Sequence, residues 1–245
     1  MGCVPSQGEE GGNTGVGKTP VRALLLVDIQ KDFCPGGALA VAGGDRTADV
    51  ANKLRASNCF GSRVFLTQDW HPASHMSFAS VNGRAPFSSV TMKHPDGREY
   101  EQTMWPDHCV QGSDGALFLD TLDRAEDTDV IVKKGTDTNV DSYSGFFDND
   151  GTSQTELHAR LGDAGVSELC IIGIATDVCV HFTITDALKL GYKVYVVLEG
   201  CAGLDDAAIQ RCIASWRESG ASVFDTADEY ITHTSFTSGA PDTKT

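Results

Sequence analysis

The sequence predicts a three-layer α/β/α sandwich around a mostly parallel sheet of about six strands. Three observations lead there. Short continuous apolar runs rich in Val, Ile and Leu recur along the chain, the signature of strands buried on both faces. Segments of helical character separate most of them, and strand–helix alternation implies parallel pairing with helices on both sides. Several runs also end in Asp, Lys or Cys, where an open α/β sheet binds its ligand.

Residues 1–20 are rich in Gly, Ser, Thr and Glu without apolar periodicity, so a flexible N-terminal tail is expected there. A single domain is expected over 21–236, with a frayed tail over 237–245. The first strand is the run 23–27, ending at Asp28. The second is 64–66, just before Asp69. The third is 130–132, followed by Lys133 and Lys134. The fourth is 169–174, the fifth 194–198, and the weaker sixth 221–224. Helices are predicted over 45–57, 155–164, 178–190 and 205–219, with Gly191 as a stop signal for the third. Residues 69–115 show no clear period and are long for a plain loop, which points to function.

The chain has 245 residues, 40% of them hydrophobic, enough for one sizeable core. Its net charge of −15 repels phosphate backbones and argues against a nucleic-acid partner. None of the 8 cysteines forms a CxxC pair, so a structural zinc site is unsupported. With no secretory apolar segment, a reducing, cytoplasmic location is expected. No apolar stretch approaches the roughly 20 residues that span a bilayer. Oligomeric state is left open.

Parallel strands place their C-terminal ends on one edge, so Asp28, Asp69 with His71, Lys134 and Cys179 should meet there. Cys179 falls in the first turn of the predicted 178–190 helix, with Thr176 or Asp177 as its cap. A helix N-terminus and a nearby lysine would both lower the thiol pKa. A nearby carboxylate could take the thiol proton and pass it to a leaving amine. Taken singly, Cys179 is an inert core thiol, Asp28 a turn cap and Lys134 a solvated charge. Together they make an acyl-transfer site.

A second cluster is Asp69-Trp70-His71, with His75 nearby and Trp105-Pro106-Asp107-His108 further on. Carboxylate and imidazole suit Zn²⁺, Fe²⁺ or Mn²⁺. Such an ion would polarise a bound substrate or supply hydroxide. His94, His158, His181 and His233 are expected to be structural or exposed.

The strings Leu26-Val27-Asp28-Ile29-Gln30-Lys31-Asp32-Phe33, Thr67-Gln68-Asp69-Trp70-His71-Pro72, Trp105-Pro106-Asp107-His108-Cys109, Val132-Lys133-Lys134-Gly135 and Gly173-Ile174-Ala175-Thr176-Asp177-Val178-Cys179-Val180 resemble the nicotinamidase/pyrazinamidase branch of the isochorismatase-like hydrolases. Their order and approximate spacing match over about 22–224. The resemblance implies the isochorismatase-like hydrolase fold and hydrolysis of nicotinamide to nicotinate and ammonia in NAD salvage. It implies Asp28 as base, Lys134 (rather than Lys133) as the cation beside the thiolate, and Cys179 as nucleophile. It implies one divalent metal on Asp69, His71 and His108, Zn²⁺ first with Fe²⁺ or Mn²⁺ as alternatives, and leaves a fourth ligand open at His75. Phe33, Trp105 and Tyr143 would line the ring pocket. The Ile174–Ala175 bond would be cis and would aim the N–H groups of Ala175 and Cys179 at an oxyanion. The competing readings are an amidohydrolase of the same fold acting on another small amide, and a lipid-tethered binding protein without turnover.

Two features stand apart. Gly12-Asn13-Thr14-Gly15-Val16-Gly17-Lys18-Thr19 satisfies a P-loop pattern. No strand precedes it and no helix follows, so it reads as a chance match. Met1-Gly2-Cys3-Val4-Pro5-Ser6 fits N-myristoylation at Gly2 with Cys3 open to palmitoylation. Membrane association is expected only if this N-terminus is acylated, and two chains would anchor stably where one is marginal.

Overall fold

The computed structural model describes residues 20–93 and 96–238. The acylation signal at Gly2 and Cys3, the P-loop-like string 12–19 and His94 lie outside them. The elements in chain order are β1 (Arg22–Val27), α1 (Arg46–Ala56), β2 (Val64–Asp69), β3 (Ser89–Lys93), β4 (Glu99–Thr103), β5 (Val130–Lys134), α2 (Leu157–Asp163), β6 (Glu168–Ile174), α3 (His181–Lys189), β7 (Lys193–Ala202), α4 (Asp206–Glu218), β8 (Ser222–Phe224) and α5 (Ala227–Ser238).

The main sheet has six strands in the order β5-β2-β1-β6-β7-β8. Every pairing in it is parallel. The chain builds outward from β1 through β2 to β5, then returns to lay β6 on the other side of β1. That reversal leaves a crevice at the C-terminal ends of β1 and β6, where ligands enter open α/β sheets.

Alternation along the strands explains why the runs are apolar throughout. Leu25 and Val27 of β1 join Phe65, Val132, Ile171 and Val196 in a layer closed by α2, α3 and α4, with Leu161, Ile184 and Trp216 from those helices. Leu24 and Leu26 join Leu66, Ile172 and Val197 in the opposite layer, closed by Ala51 and Leu54 of α1 and Tyr230 of α5. Burying one such aliphatic side chain contributes about 1.5–3 kcal/mol.

Three elements depart from the sequence expectation. The stretch 69–115 contains an antiparallel hairpin, β3 paired with β4. One face of its strands is exposed and the other mostly half-buried, so they carry no continuous apolar run. Helix α5, Ala227–Ser238, stands where the sequence predicted no helix. It docks through a narrow stripe, Ala227, Tyr230 and Thr234, with Tyr230 stacked on Phe60 at 5.9 Å between ring centroids. Helix α3 begins at His181 rather than Val178, because 176–180 form a π-helical turn.

Candidate active site

The site is assembled at the strand ends. Asp28 follows β1 with φ +52°, a left-handed conformation that non-glycine residues adopt mainly where the surroundings enforce it. It is fully buried. Thr67, paired with Val27 on the neighbouring strand, donates its hydroxyl to Asp28 Oδ1 at 2.6 Å. The same hydroxyl oxygen accepts the Asp28 N–H at 3.2 Å. Oδ2 receives no aligned hydrogen bond, but Lys134 Nζ stands 2.9 Å from it as a charge contact.

Strand alternation sorts the two lysines that end β5. Lys133 points outward and lies over the Trp70 ring at 3.7 Å. Lys134 points inward and is 1% exposed. Its ammonium donates to Asp69 Oδ1 at 2.5 Å, the Ser142 carbonyl at 2.9 Å and Cys179 Sγ at 3.5 Å. A carboxylate oxygen each from Asp28 and Asp69 and the Cys179 sulfur all lie within 4.8 Å of one another.

Cys179 sits in the π-helical turn Thr176–Val180, in which the Val180 N–H reaches back to the Ala175 carbonyl at 3.0 Å. Such turns are inserted into α-helices mostly at functional sites. The preceding Ile174–Ala175 bond is cis, as the resemblance implied. Neither Thr176 nor Asp177 caps this helix. Asp177 instead accepts the backbone N–H groups of Leu204 and Asp205, fastening the loop after β7 to the turn that carries the thiol.

The expected lowering of the Cys179 pKa is not found. Burial pushes the thiol well above its ordinary value, Lys134 opposes this, and the Asp28 and Asp69 charges add to it. The lysine falls short because its ammonium is shared with two carboxylates. Burial also raises Asp28, against the pull of Lys134, to about 6. Asp69 goes the other way. Burial opposes its ionisation, but Lys134, His71 and His108 hold it well below the carboxylate range. At neutral pH the resting site therefore pairs a thiol with an ionised base.

The metal-type cluster lies next to this unit. One ligand atom each from Asp69, His71 and His108 fall within 4.8 Å of one another, all buried. His71 Nδ1 is 2.8 Å from the Gly135 carbonyl. His108 Nδ1 is 2.7 Å from the Pro106 carbonyl. Both Nε2 atoms face Asp69 Oδ2, at 3.5 and 3.8 Å; burial opposes the His71 charge, but that carboxylate outweighs it and raises the His71 pKa. Burial and His71 push His108 down to about 4, so it is neutral and able to ligate. This donor set fits a divalent ion. Gly135, at φ +61°, lies so close to His71 that a Cβ there would run into the imidazole. His75 differs, because Ser77 Oγ at 2.8 Å and the Val140 carbonyl at 3.2 Å occupy both of its nitrogens. Its ring instead packs on His71, centroids 4.2 Å apart.

Phe33, Trp105, Tyr143 and Ala175 line a pocket that also exposes Asp69, His108 and Cys179, with about 390 Å³ of empty space counting its mouth. Its walls are mostly apolar and aromatic, the kind of lining on which a flat ring packs. An isochorismatase domain matches residues 22–228. The chain belongs to the isochorismatase family. Within that family it is similar to the nicotinamidase of Escherichia coli (strain K12), 50% identical over 76% of this chain and 85% of that protein. It superposes on the yeast nicotinamidase bound to the inhibitor nicotinaldehyde with a TM-score of 0.78, at 29% identity, covering 84% of this chain and 100% of that one. The pyrazinamidase of Pyrococcus horikoshii in complex with zinc gives a TM-score of 0.68 at 33% identity, covering 83% of this chain and 98% of that one.

The isochorismatase fold thus brings together Asp28, Lys134 and Cys179, the set Asp69, His71 and His108, and the pocket residues Phe33, Trp105, Tyr143 and Ala175. His158 bonds the Tyr192 hydroxyl, His181 bonds Trp216, and His233 packs on Phe224. Other participants carry no mark of their own in the sequence. Gln30 exchanges hydrogen bonds with the Asp69 backbone, its Oε1 accepting from N–H and its Nε2 donating to the carbonyl. Asp32 accepts the Cys109 N–H at 2.7 Å and so holds the turn after His108. Thr67, Gln102 and Asp141 also pack against the site. Asp32 and Gln30 lie in the first quoted string and Thr67 opens the second, so their only signal is that neighbourhood.

Proposed function

We propose that this chain is a nicotinamidase, hydrolysing nicotinamide to nicotinate and ammonia in NAD salvage, within a domain spanning 21–236. The observation that carries the proposal is one aromatic-lined pocket that exposes Cys179 of the Asp28–Lys134–Cys179 unit together with Asp69 and His108 of the adjoining Asp69–His71–His108 cluster. The similarity to nicotinamidases supports the same substrate.

In the proposed reaction Asp28 Oδ2 takes the Cys179 proton as the sulfur attacks the carboxamide carbon. Moving that proton turns the resting thiol into a thiolate beside Lys134, which balances its charge. The N–H groups of Ala175 and Cys179 receive the tetrahedral oxyanion. Asp28 then returns the proton to the departing ammonia, leaving a thioester. Water attacks the thioester with Asp28 again as base, and nicotinate leaves. Phe33, Trp105 and Tyr143 hold the ring. Asp69, His71 and His108 would hold a divalent ion, Zn²⁺ first with Fe²⁺ or Mn²⁺ as alternatives, whose contribution when bound is to accept the pyridine nitrogen as a ligand.

The test is ammonia release from nicotinamide by wild type, Cys179→Ala and metal-stripped protein. Turnover by wild type alone, with each control down by about a thousandfold or more, supports the assignment. A silent wild type with metal supplied overturns it.

We also propose a cytoplasmic enzyme tethered to membrane through acylation at Gly2 and Cys3. The Met1-Gly2-Cys3 start is the feature that supports it; no helix among the described residues is long and apolar enough to cross a membrane. Incorporation of a fatty-acid label that disappears in Gly2→Ala supports it, and label that survives the substitution rejects it.

A further inference from the structure

The β3–β4 hairpin looks at first like a dispensable excursion. Ser89, Thr91, Lys93, Glu99 and Glu101 are exposed, and it contributes no strand to the main sheet. One residue breaks that pattern. Gln102 is fully buried, and its amide nitrogen lies 2.9 Å from Asp141 Oδ2, 3.0 Å from the Tyr143 hydroxyl and 2.9 Å from the Thr103 carbonyl. The Tyr143 hydroxyl accepts a second hydrogen bond from Trp105 Nε1, at 3.1 Å. The Tyr143 and Trp105 rings meet edge to face, 83° apart in plane. Tyr143, Trp105 and Asp141 line the catalytic pocket, whereas Gln102 does not reach it. The Gln102 amide therefore touches the pocket wall from behind.

The consequences of losing that amide follow from its partners. Asp141 Oδ1 is held by the Ser142 N–H, while Gln102 is the donor to Oδ2. Without it, a buried carboxylate oxygen on the pocket wall would lose its partner, which costs free energy and draws in water. The Tyr143 hydroxyl would keep Trp105 but lose the bond that sets its own position along the wall.

We propose that Gln102 is a positioning residue that fixes Tyr143 and Asp141 against Trp105, so that the hairpin sets which ring-substituted pyridine carboxamides the pocket accepts. This rests on the nicotinamidase reading for its substrate class, but not for its geometry. Gln102 acts on the fit of the ring and leaves proton transfer between Asp28 and Cys179 untouched.

The experiment compares wild type, Gln102→Met, Tyr143→Phe and the double variant, each loaded with metal, on nicotinamide and 5-methylnicotinamide. Gln102→Met keeps side-chain length and removes the donors. We expect its KM for nicotinamide to rise about tenfold with kcat within about twofold, and its preference for the unsubstituted ring to shrink about fivefold or more. Overall destabilisation would lower both substrates alike and leave that preference unchanged. In the Tyr143→Phe background, Gln102→Met should change the preference clearly less than it does in wild type, since only the bond to Asp141 is then left to lose. A preference that stays at the wild-type value, or effects that simply multiply, would overturn the proposal. A crystal structure of Gln102→Met supplies a readout independent of turnover. Tyr143 should leave its place against Trp105. If wild type releases no ammonia, the substrate assignment fails, and an unmoved Tyr143 in that structure rejects the positioning role separately.

Discussion

The Lys134 ammonium lies 2.5 Å from Asp69 Oδ1 and 2.9 Å from Asp28 Oδ2, with essentially no solvent at any of the three groups. The cation of the catalytic unit and a carboxylate of the metal-type cluster are thus one charge system. Two buried carboxylates are tolerable only because this cation sits between them.

Lys134→Met should therefore be damaging well before catalysis is considered. Removing one member of a buried charged set costs about 3–5 kcal/mol. We expect the denaturation midpoint of the metal-free protein to fall accordingly. An unchanged midpoint would show that the carboxylates do not depend on the lysine.

Thr67→Val keeps shape and removes the hydroxyl that selects Asp28 Oδ1. Stability should fall by roughly 2–4 kcal/mol, because the buried Asp28 N–H and Oδ1 both lose their partner. Turnover should drop by at least about tenfold, because Oδ2 is no longer presented to the thiol. Thr67→Ser should restore most of it. Equal losses in both variants would assign Thr67 to packing alone.

Gly135→Ala should weaken metal binding about 10- to 100-fold, since the new methyl displaces His71 and breaks its carbonyl anchor. Gly151 serves as the control. It has φ +72°, and a Cβ added there would meet nothing within 4 Å, so Gly151→Ala should cost only backbone strain of roughly 1–2 kcal/mol. Metal titration of the two variants separates the effects.

Glu168 predicts an acid dependence of stability remote from the site. Burial raises its pKa, but hydrogen bonds and charge from Arg22 and Lys193 outweigh this and hold it below the ordinary value of 4.5. A depressed folded pKa gives stability that is present above 4.5 and is lost as pH falls through the folded value. The melting-temperature gap between wild type and Glu168→Gln should be widest near neutrality and close below pH 4.5. A gap independent of pH would remove Glu168 from the acid response.

Much of this was legible in the amino-acid order. The strand runs are apolar on both faces because both layers bury them, and each chemically useful residue sits just past one. The family resemblance picked Lys134 over Lys133, and alternation along β5 agrees. The hairpin was invisible because its residues meet mostly water, leaving no apolar signature. Helix α5 was missed because three spaced contacts, Ala227, Tyr230 and Thr234, anchor it. Roles such as those of Thr67 and Gln102 depend on partners 39 residues away in the chain, which no local pattern encodes. The Cys179 pKa was misjudged because helix position and a neighbouring cation are readable in sequence, whereas depth of burial is not.

That burial decides how the protein meets reactive chemicals. Cys179 is 7% exposed, and burial pushes its thiol pKa well above the ordinary value, whereas only thiolates react readily with peroxides or haloacetamides. Such agents should find the empty enzyme a poor target. An electrophile mounted on a flat pyridine-sized ring would enter the pocket and meet the sulfur at the one place where its proton can be drawn off. Selective covalent inhibition of this protein is therefore a question of carrier shape, not of warhead strength.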